Sequence, residues 1–128
     1  MKTVQAMVAE ADALVPRISA QDAKTMVGRP DVLFLDVREP GEVIASGKVP
    51  GALNVPRGLV EFRADPSSPL HDAAFDRARS IVAYCASGGR SALVGKVLME
   101  MGYKNVQNLG GFKAWLDADG EVEKQNCP

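Results

Sequence analysis

The chain has 128 residues, 46% hydrophobic and 24% charged, with a formal net charge of −1. That length supports one domain with one sizeable core. The near-neutral balance excludes a global electrostatic case for binding nucleic acid or a membrane surface.

No apolar run approaches the ~18 residues that a membrane span requires. Two cysteines, Cys85 and Cys127, are too few for a disulfide scaffold and lack metal-ligand spacing. The first residues carry one lysine, no continuous apolar stretch, and the acids Glu10 and Asp12. That is not a secretory leader, and a cytoplasmic protein is expected.

In chain order, Val4, Met7, Val8, Ala11 and Leu14 predict an amphipathic helix over 3–14, ended by Pro16. Ser19 reads as the N-cap of a second helix over 20–27, with Gly28 beyond its end. Val32–Val37 is a continuous apolar run, apart from Asp36, of the kind that forms strands buried on both faces. A brief helix over 42–46 closes at Gly47, and a turn and short strand follow within Lys48–Pro56. Residues 58–63 predict another short helix. The stretch from Ala64 to Asp72, rich in Pro, Ser and Asp, predicts an exposed loop.

Residues 73–79 then read as a helix leading into the apolar strand Ile81–Tyr84. Leu93, Val94, Val97, Leu98 and Met101 give helical spacing over 91–101, with Gly102 as a suitable C-cap. Val106–Leu109 predicts a last strand, and Gly110-Gly111 opens a helix over 112–117. From Asp119 the chain is polar and is expected to be a loose tail. Strands alternating with helices imply an α/β domain with a mostly parallel central sheet flanked by helices on both faces.

The chemistry concentrates in Cys85-Ala86-Ser87-Gly88-Gly89-Arg90-Ser91, between a predicted strand and a predicted helix. In parallel sheets, ligands bind beyond the carboxyl ends of strands. The free N–H groups and positive dipole end of a helix start favour an anion. Such settings lower a cysteine pKa from about 8.5 to roughly 3.5–7.5. Gly88 and Gly89 permit a nest of inward N–H groups, and Arg90 adds a permanent cation. A free cysteine is most often a small buried hydrophobe. The strand end, glycine pair, arginine and following helix together favour a nucleophile in an anion-binding loop.

Four stretches give the chain a resemblance to the single-domain rhodanese (sulfurtransferase) family over roughly residues 17–118. They are Asp36-Val37-Arg38-Glu39-Pro40, Gly47–Pro56, Cys85–Ser91 and Gly110-Gly111-Phe112-Lys113-Ala114-Trp115. The resemblance implies a rhodanese-like fold at 17–118, between a helical extension at 1–16 and a tail at 119–128. It implies that the Cys85 thiolate takes the outer sulfur of a small anionic donor, thiosulfate or a persulfide. The Cys85 persulfide then passes that sulfur to a thiol or protein acceptor.

In this scheme Ala86, Ser87, Gly88, Gly89, Arg90 and Ser91 bind substrate and persulfide. Asp36 and Arg38, a charged pair at a strand end, read equally as a brace for that loop or as an ordinary ion pair. No cofactor or metal is implied. Where many relatives carry histidine in their second motif, this chain has Lys48. The sequence carries no signal that fixes an oligomeric state.

Two other readings compete. A phosphatase or arsenate reductase also sets a cysteine and an arginine around an anion-binding loop, but that loop is typically one residue longer. Such an enzyme also needs a general acid, and this loop holds no carboxylate. A binding or sulfur-carrier module would keep the fold without turnover. Elsewhere, Cys127 reads as an uninvolved terminal thiol, His71 as a surface residue, and Phe112 and Trp115 as core. Arg57, just past a strand end, is a candidate for lining the mouth of the site.

Overall fold

The structure is a computed structural model and describes residues 1–125; Cys127 lies outside the described residues. Its centre is a pair of parallel strands, β1 (Val32–Asp36) and β3 (Ser80–Cys85), buried along nearly their whole length. Short β2 (Leu53–Asn54) joins the outer edge of β1. β4 (Val106–Gly111) joins that of β3, giving the all-parallel order β2-β1-β3-β4.

Strand alternation splits the core in two. Leu33, Leu35, Ile81, Ala83 and Cys85 point to one face, with Val94, Leu98 and Tyr103. Val32, Phe34, Val82 and Tyr84 point to the other, with Leu109, Phe112 and Trp115. Helices therefore cover both faces. On the Cys85 face lie α1 (Val4–Leu14), α4 (Val60–Ala64) and α5 (Gly89–Glu100), and on the other α2 (Ala20–Lys24) and α6 (Phe112–Asp117). α3 (Pro40–Ser46) connects β1 to β2.

Local chemistry accounts for most boundaries. The Ser19 hydroxyl accepts from the Asp22 amide at 3.1 Å and starts α2. α3 begins two residues earlier than expected. Pro40 is preset for the first helical turn, and Glu39 and Glu42 form a reciprocal capping box. The helix expected over 58–63 is a 3-10 turn (Arg57–Leu59) running into α4.

The helix expected over 73–79 is absent. The Asp72 carboxylate accepts from the Ala74 amide at 2.9 Å, and the Asp76 carboxylate from the Ala78 amide at 2.8 Å. These side chains offer the backbone a turn in place of a helical ladder, and two successive turns result.

The N-terminal helix forms where expected, but only part of its stripe docks it. Val4, Met7 and Leu14 are exposed, while Ala11 and Val15 are buried against α5, Val15 resting on Gly95. The stretch after Asp119 is not loose up to Glu123. Lys48 and Glu123 exchange two backbone hydrogen bonds, and the Glu123 carboxylate accepts from the Gly51 amide at 2.8 Å. The Trp115 indole donates to the Glu121 carbonyl at 2.8 Å. No helix among the described residues is long and apolar enough to cross a membrane.

Candidate active site

Cys85 is the last residue of β3 and α5 starts at Gly89, so the intervening backbone must reverse within three residues. Gly88 makes that turn with φ +100°, a left-handed conformation that side-chain-bearing residues rarely adopt. The turn brings the Gly88 amide to 3.0 Å from Cys85 Sγ, donating to it. The first residues of α5 then follow at once, with Ser91 Oγ 3.5 Å from the sulfur.

The floor beneath this loop is the end of β4. A register shift between Ala83 and Tyr84 sets Gly110 opposite Tyr84 and Gly111 opposite Cys85. A side chain at Gly111 would collide with the Ala86 carbonyl oxygen, so the close approach requires glycine. Gly111 has φ −93°, which alanine adopts without strain, so a substitution there tests packing alone. Gly111→Ala is expected to cost about 1–3 kcal/mol through overpacking and to displace Ala86 from its place over the strand. Urea unfolding, read beside Cys85 alkylation, checks this. Unchanged stability and unchanged labelling would show that the floor does not hold the loop.

Cys85 is completely buried, as is Ser91, while Ala86 and Ser87 are exposed at the crest of the loop. Burial works against ionisation of the thiol. The Ser91 hydroxyl and the amides of Ser91, Gly88 and Ser87 outweigh it and hold the pKa below its ordinary value. The Ser87 contribution comes from its backbone.

Two residues that the sequence reading did not single out complete the site. The Asn108 carboxamide oxygen accepts from the Gly110 amide at 2.8 Å and from Ser91 Oγ at 2.7 Å. Its nitrogen donates to the Gly88 carbonyl at 3.3 Å. Asn108 thus ties loop, floor and helix start together from an almost fully buried position. Its signal in the sequence is a polar residue inside an otherwise apolar strand.

The other is Glu42 on α3, whose carboxylate grips both terminal nitrogens of Arg90 at 2.7 and 3.0 Å. The Arg90 guanidinium and the Glu39 amide hold the Glu42 carboxyl down at about 2, so it is ionised at neutral pH. Arg90 is therefore one half of an ion pair rather than an unpaired cation at the lip.

Asp36 and Arg38 form a buried two-pronged pair, with the Arg38 guanidinium 2.7 Å from Asp36 Oδ2 at Nη2 and 3.0 Å from Oδ1 at Nε. Arg38 also donates to Ser46 Oγ at 2.7 Å and to the Gly47 carbonyl at 2.8 Å. It lies over the ring of Phe112 at 4.5 Å. The pair braces the far end of α3 rather than bonding to residues 86–91. Arg57 pairs with Glu61 and lines a cleft beside α1 and α5 with Leu93 and Lys96. The Lys48 ammonium donates to the Ala52 carbonyl at 2.9 Å. Phe112 and Trp115 are core: Phe112 stacks on Tyr84 and Trp115 meets Phe34 edge-on. His71 sits half-buried in its loop, and no group of three or more potential metal ligands forms among the described residues.

The family model for the rhodanese-like domain matches residues 19–118. A protein of Allochromatium vinosum named sulfurtransferase is 41% identical over 86 residues, covering 66% of this chain and 72% of its own. A solved structure from Rhodopseudomonas palustris is described as a protein of unknown function and possible tyrosine phosphatase. It superposes with a TM-score of 0.90 at 39% identity, over 96% of each chain. The polysulfide-sulfur transferase homodimer of Wolinella succinogenes superposes with a TM-score of 0.75 at 31% identity, over 95% of this chain and 88% of that one.

Proposed function

The chain belongs to the rhodanese-like family, and on that basis we propose that Cys85 carries a sulfane sulfur from donor to acceptor as a persulfide. Relatives named as sulfurtransferases support sulfur transfer as the general reaction. The observation that carries this reading is the Gly88 amide, which donates to Cys85 Sγ at 3.0 Å, beside the Ser91 hydroxyl 3.5 Å from the sulfur. These groups favour a thiolate, the nucleophilic form of cysteine.

In the first half-reaction the Cys85 thiolate attacks the outer sulfur of a donor such as thiosulfate. The donor S–S bond breaks, its electron pair leaves with sulfite, and a new S–S bond forms at Cys85. In the second, an acceptor thiolate, or cyanide in an assay, attacks the outer persulfide sulfur. The electron pair of that S–S bond returns to Cys85 as thiolate, so no external oxidant or reductant is needed. This is covalent, ping-pong catalysis. Because Cys85 is completely buried, the attack follows a local displacement of the exposed Ala86–Ser87 crest.

The phosphatase reading, raised by the description of the Rhodopseudomonas structure, is less well supported. Only four residues separate Cys85 from Arg90, a cradle suited to one sulfur more than to a tetrahedral oxyanion. Glu42, the carboxylate that the fold brings to the loop, is held at about 2 by Arg90 and has no proton to give a leaving group at neutral pH.

Alkylation of Cys85 by iodoacetamide, followed against pH, tests the proposal. The rate rises as the thiol ionises and levels off above its pKa, so a lowered pKa moves the rise below the ~8.5 of a free cysteine. Ser91→Ala removes a hydroxyl that helps hold the thiol pKa down and is expected to move the rise upward, slowing neutral-pH labelling on the order of tenfold. A midpoint at the free-thiol value, unmoved by Ser91→Ala, would mean that the loop does not prepare a nucleophile.

A further inference from the structure

Arg90 is the one cation in the Cys85 loop, and it is not available as a free charge. Glu42 holds Nη1 at 2.7 Å and Nη2 at 3.0 Å, a two-pronged geometry that uses both terminal nitrogens. The carboxylate is fixed in turn. Its Oε1 accepts from the Glu39 amide at 2.9 Å. The helix that bears it is pinned at its other end by Arg38, which bonds Ser46 and Gly47. The pair is 36–37% exposed, so an arriving donor meets it at the surface. Arg90 is the second residue of α5, which begins directly after the Cys85 loop, so the pair stands at the edge of the site.

A donor therefore approaches a neutral ion pair with a carboxylate in it. For a doubly charged donor, the attraction of the guanidinium is offset by Glu42 twice over; for a singly charged donor, once. The loop amides and the start of α5 still stabilise one negative charge on the transferred sulfur.

We propose that Glu42 sets the donor charge that the site accepts: its hold on Arg90 selects singly charged sulfane donors, of the organic thiosulfonate or alkyl persulfide class, over the thiosulfate dianion. This rests on the sulfur-transfer reading of Cys85. Glu42 acts through Arg90 and is a specificity-determining residue rather than a catalytic one. Sulfur transfer from a thiosulfonate balances as it does from thiosulfate. The thiolate takes the outer sulfur, the donor S–S bond breaks, and its electron pair leaves on a sulfinate in place of sulfite.

The test compares thiosulfate with methanethiosulfonate, which presents the same kind of outer sulfur with one negative charge fewer, using cyanide as acceptor. The quantity read is the ratio of kcat/KM for the two donors, in the unaltered protein and in Glu42→Gln and Glu42→Asp. Glu42→Gln is expected to raise kcat/KM for thiosulfate about fivefold more than for methanethiosulfonate, the size of one unit of charge at a part-exposed site. The gain falls mainly on KM. Glu42→Asp, which keeps a carboxylate beside Arg90, keeps the ratio of the unaltered protein.

A merely structural role would change both donors in proportion. An unchanged ratio in Glu42→Gln, or a fall for thiosulfate alone, would overturn the proposal. Transfer from neither donor in the unaltered protein would overturn the sulfur-transfer reading and this inference together, whereas transfer with an unchanged ratio removes only the inference.

Discussion

Cys85→Ser is expected to lower sulfur uptake from any sulfane donor by on the order of 10³-fold or more, since a serine hydroxyl is a far weaker nucleophile and its sulfur adduct does not form. The fold should survive. The site is completely buried, but the replacement is nearly isosteric. The Gly88 amide keeps an acceptor, and Ser91 keeps a polar neighbour. Steady-state sulfur transfer to cyanide, beside an unfolding curve, separates the two effects. Retained transfer in a folded Cys85→Ser protein would mean that another group carries the sulfur.

Arg38→Met is expected to destabilise the fold by about 3–5 kcal/mol, because it leaves the buried Asp36 carboxylate without its counter-ion. Asp36 has no exposed surface, and Arg38 covers it from both oxygens. The loss also frees Ser46 and Gly47 at the end of α3. Replacing both partners by apolar residues of similar volume should recover most of the loss, since a buried pair adds little over good packing. Urea denaturation followed by circular dichroism decides this. A loss under 1 kcal/mol for Arg38→Met would mean that water or rearrangement compensates Asp36, and that the pair does not hold the β1–α3 connection.

Position along the chain was the legible part. A β-branched run before Cys85 and an apolar 3.6-residue repeat after Arg90 place the cysteine at a strand end before a helix. The fold puts it there. Gly110-Gly111 was legible as a helix entry, but not as the floor of the loop. That role depends on the Ala86 carbonyl, brought against Gly111 only by parallel pairing of β3 with β4.

The misreadings share one cause, competition that a periodic pattern does not register. Apolar spacing at 73–79 permits a helix, yet Asp72 and Asp76 capture nearby amides and make turns. Polar composition after Asp119 permits a loose tail, yet Glu123 pairs with Lys48 across the molecule. Glu42 was legible only as the first residue of a brief helix, and its capping box with Glu39 appeared once that helix was seen to begin at Pro40. Its partnership with Arg90, 48 residues away, is a product of topology. The Asp36–Arg38 pair was legible as a pair. Which segment it braces was fixed by where α3 ends.

The central claim is that Cys85 accepts a sulfane sulfur, and intact-protein mass spectrometry after incubation with a sulfane donor tests it most directly. Thiosulfate and methanethiosulfonate should both be tried, followed by cyanide. A gain of one sulfur atom, localised by peptide mapping to Cys85 and removed by cyanide, is expected. A protein that gains no sulfur from either donor, or gains it at a site other than Cys85, would contradict it.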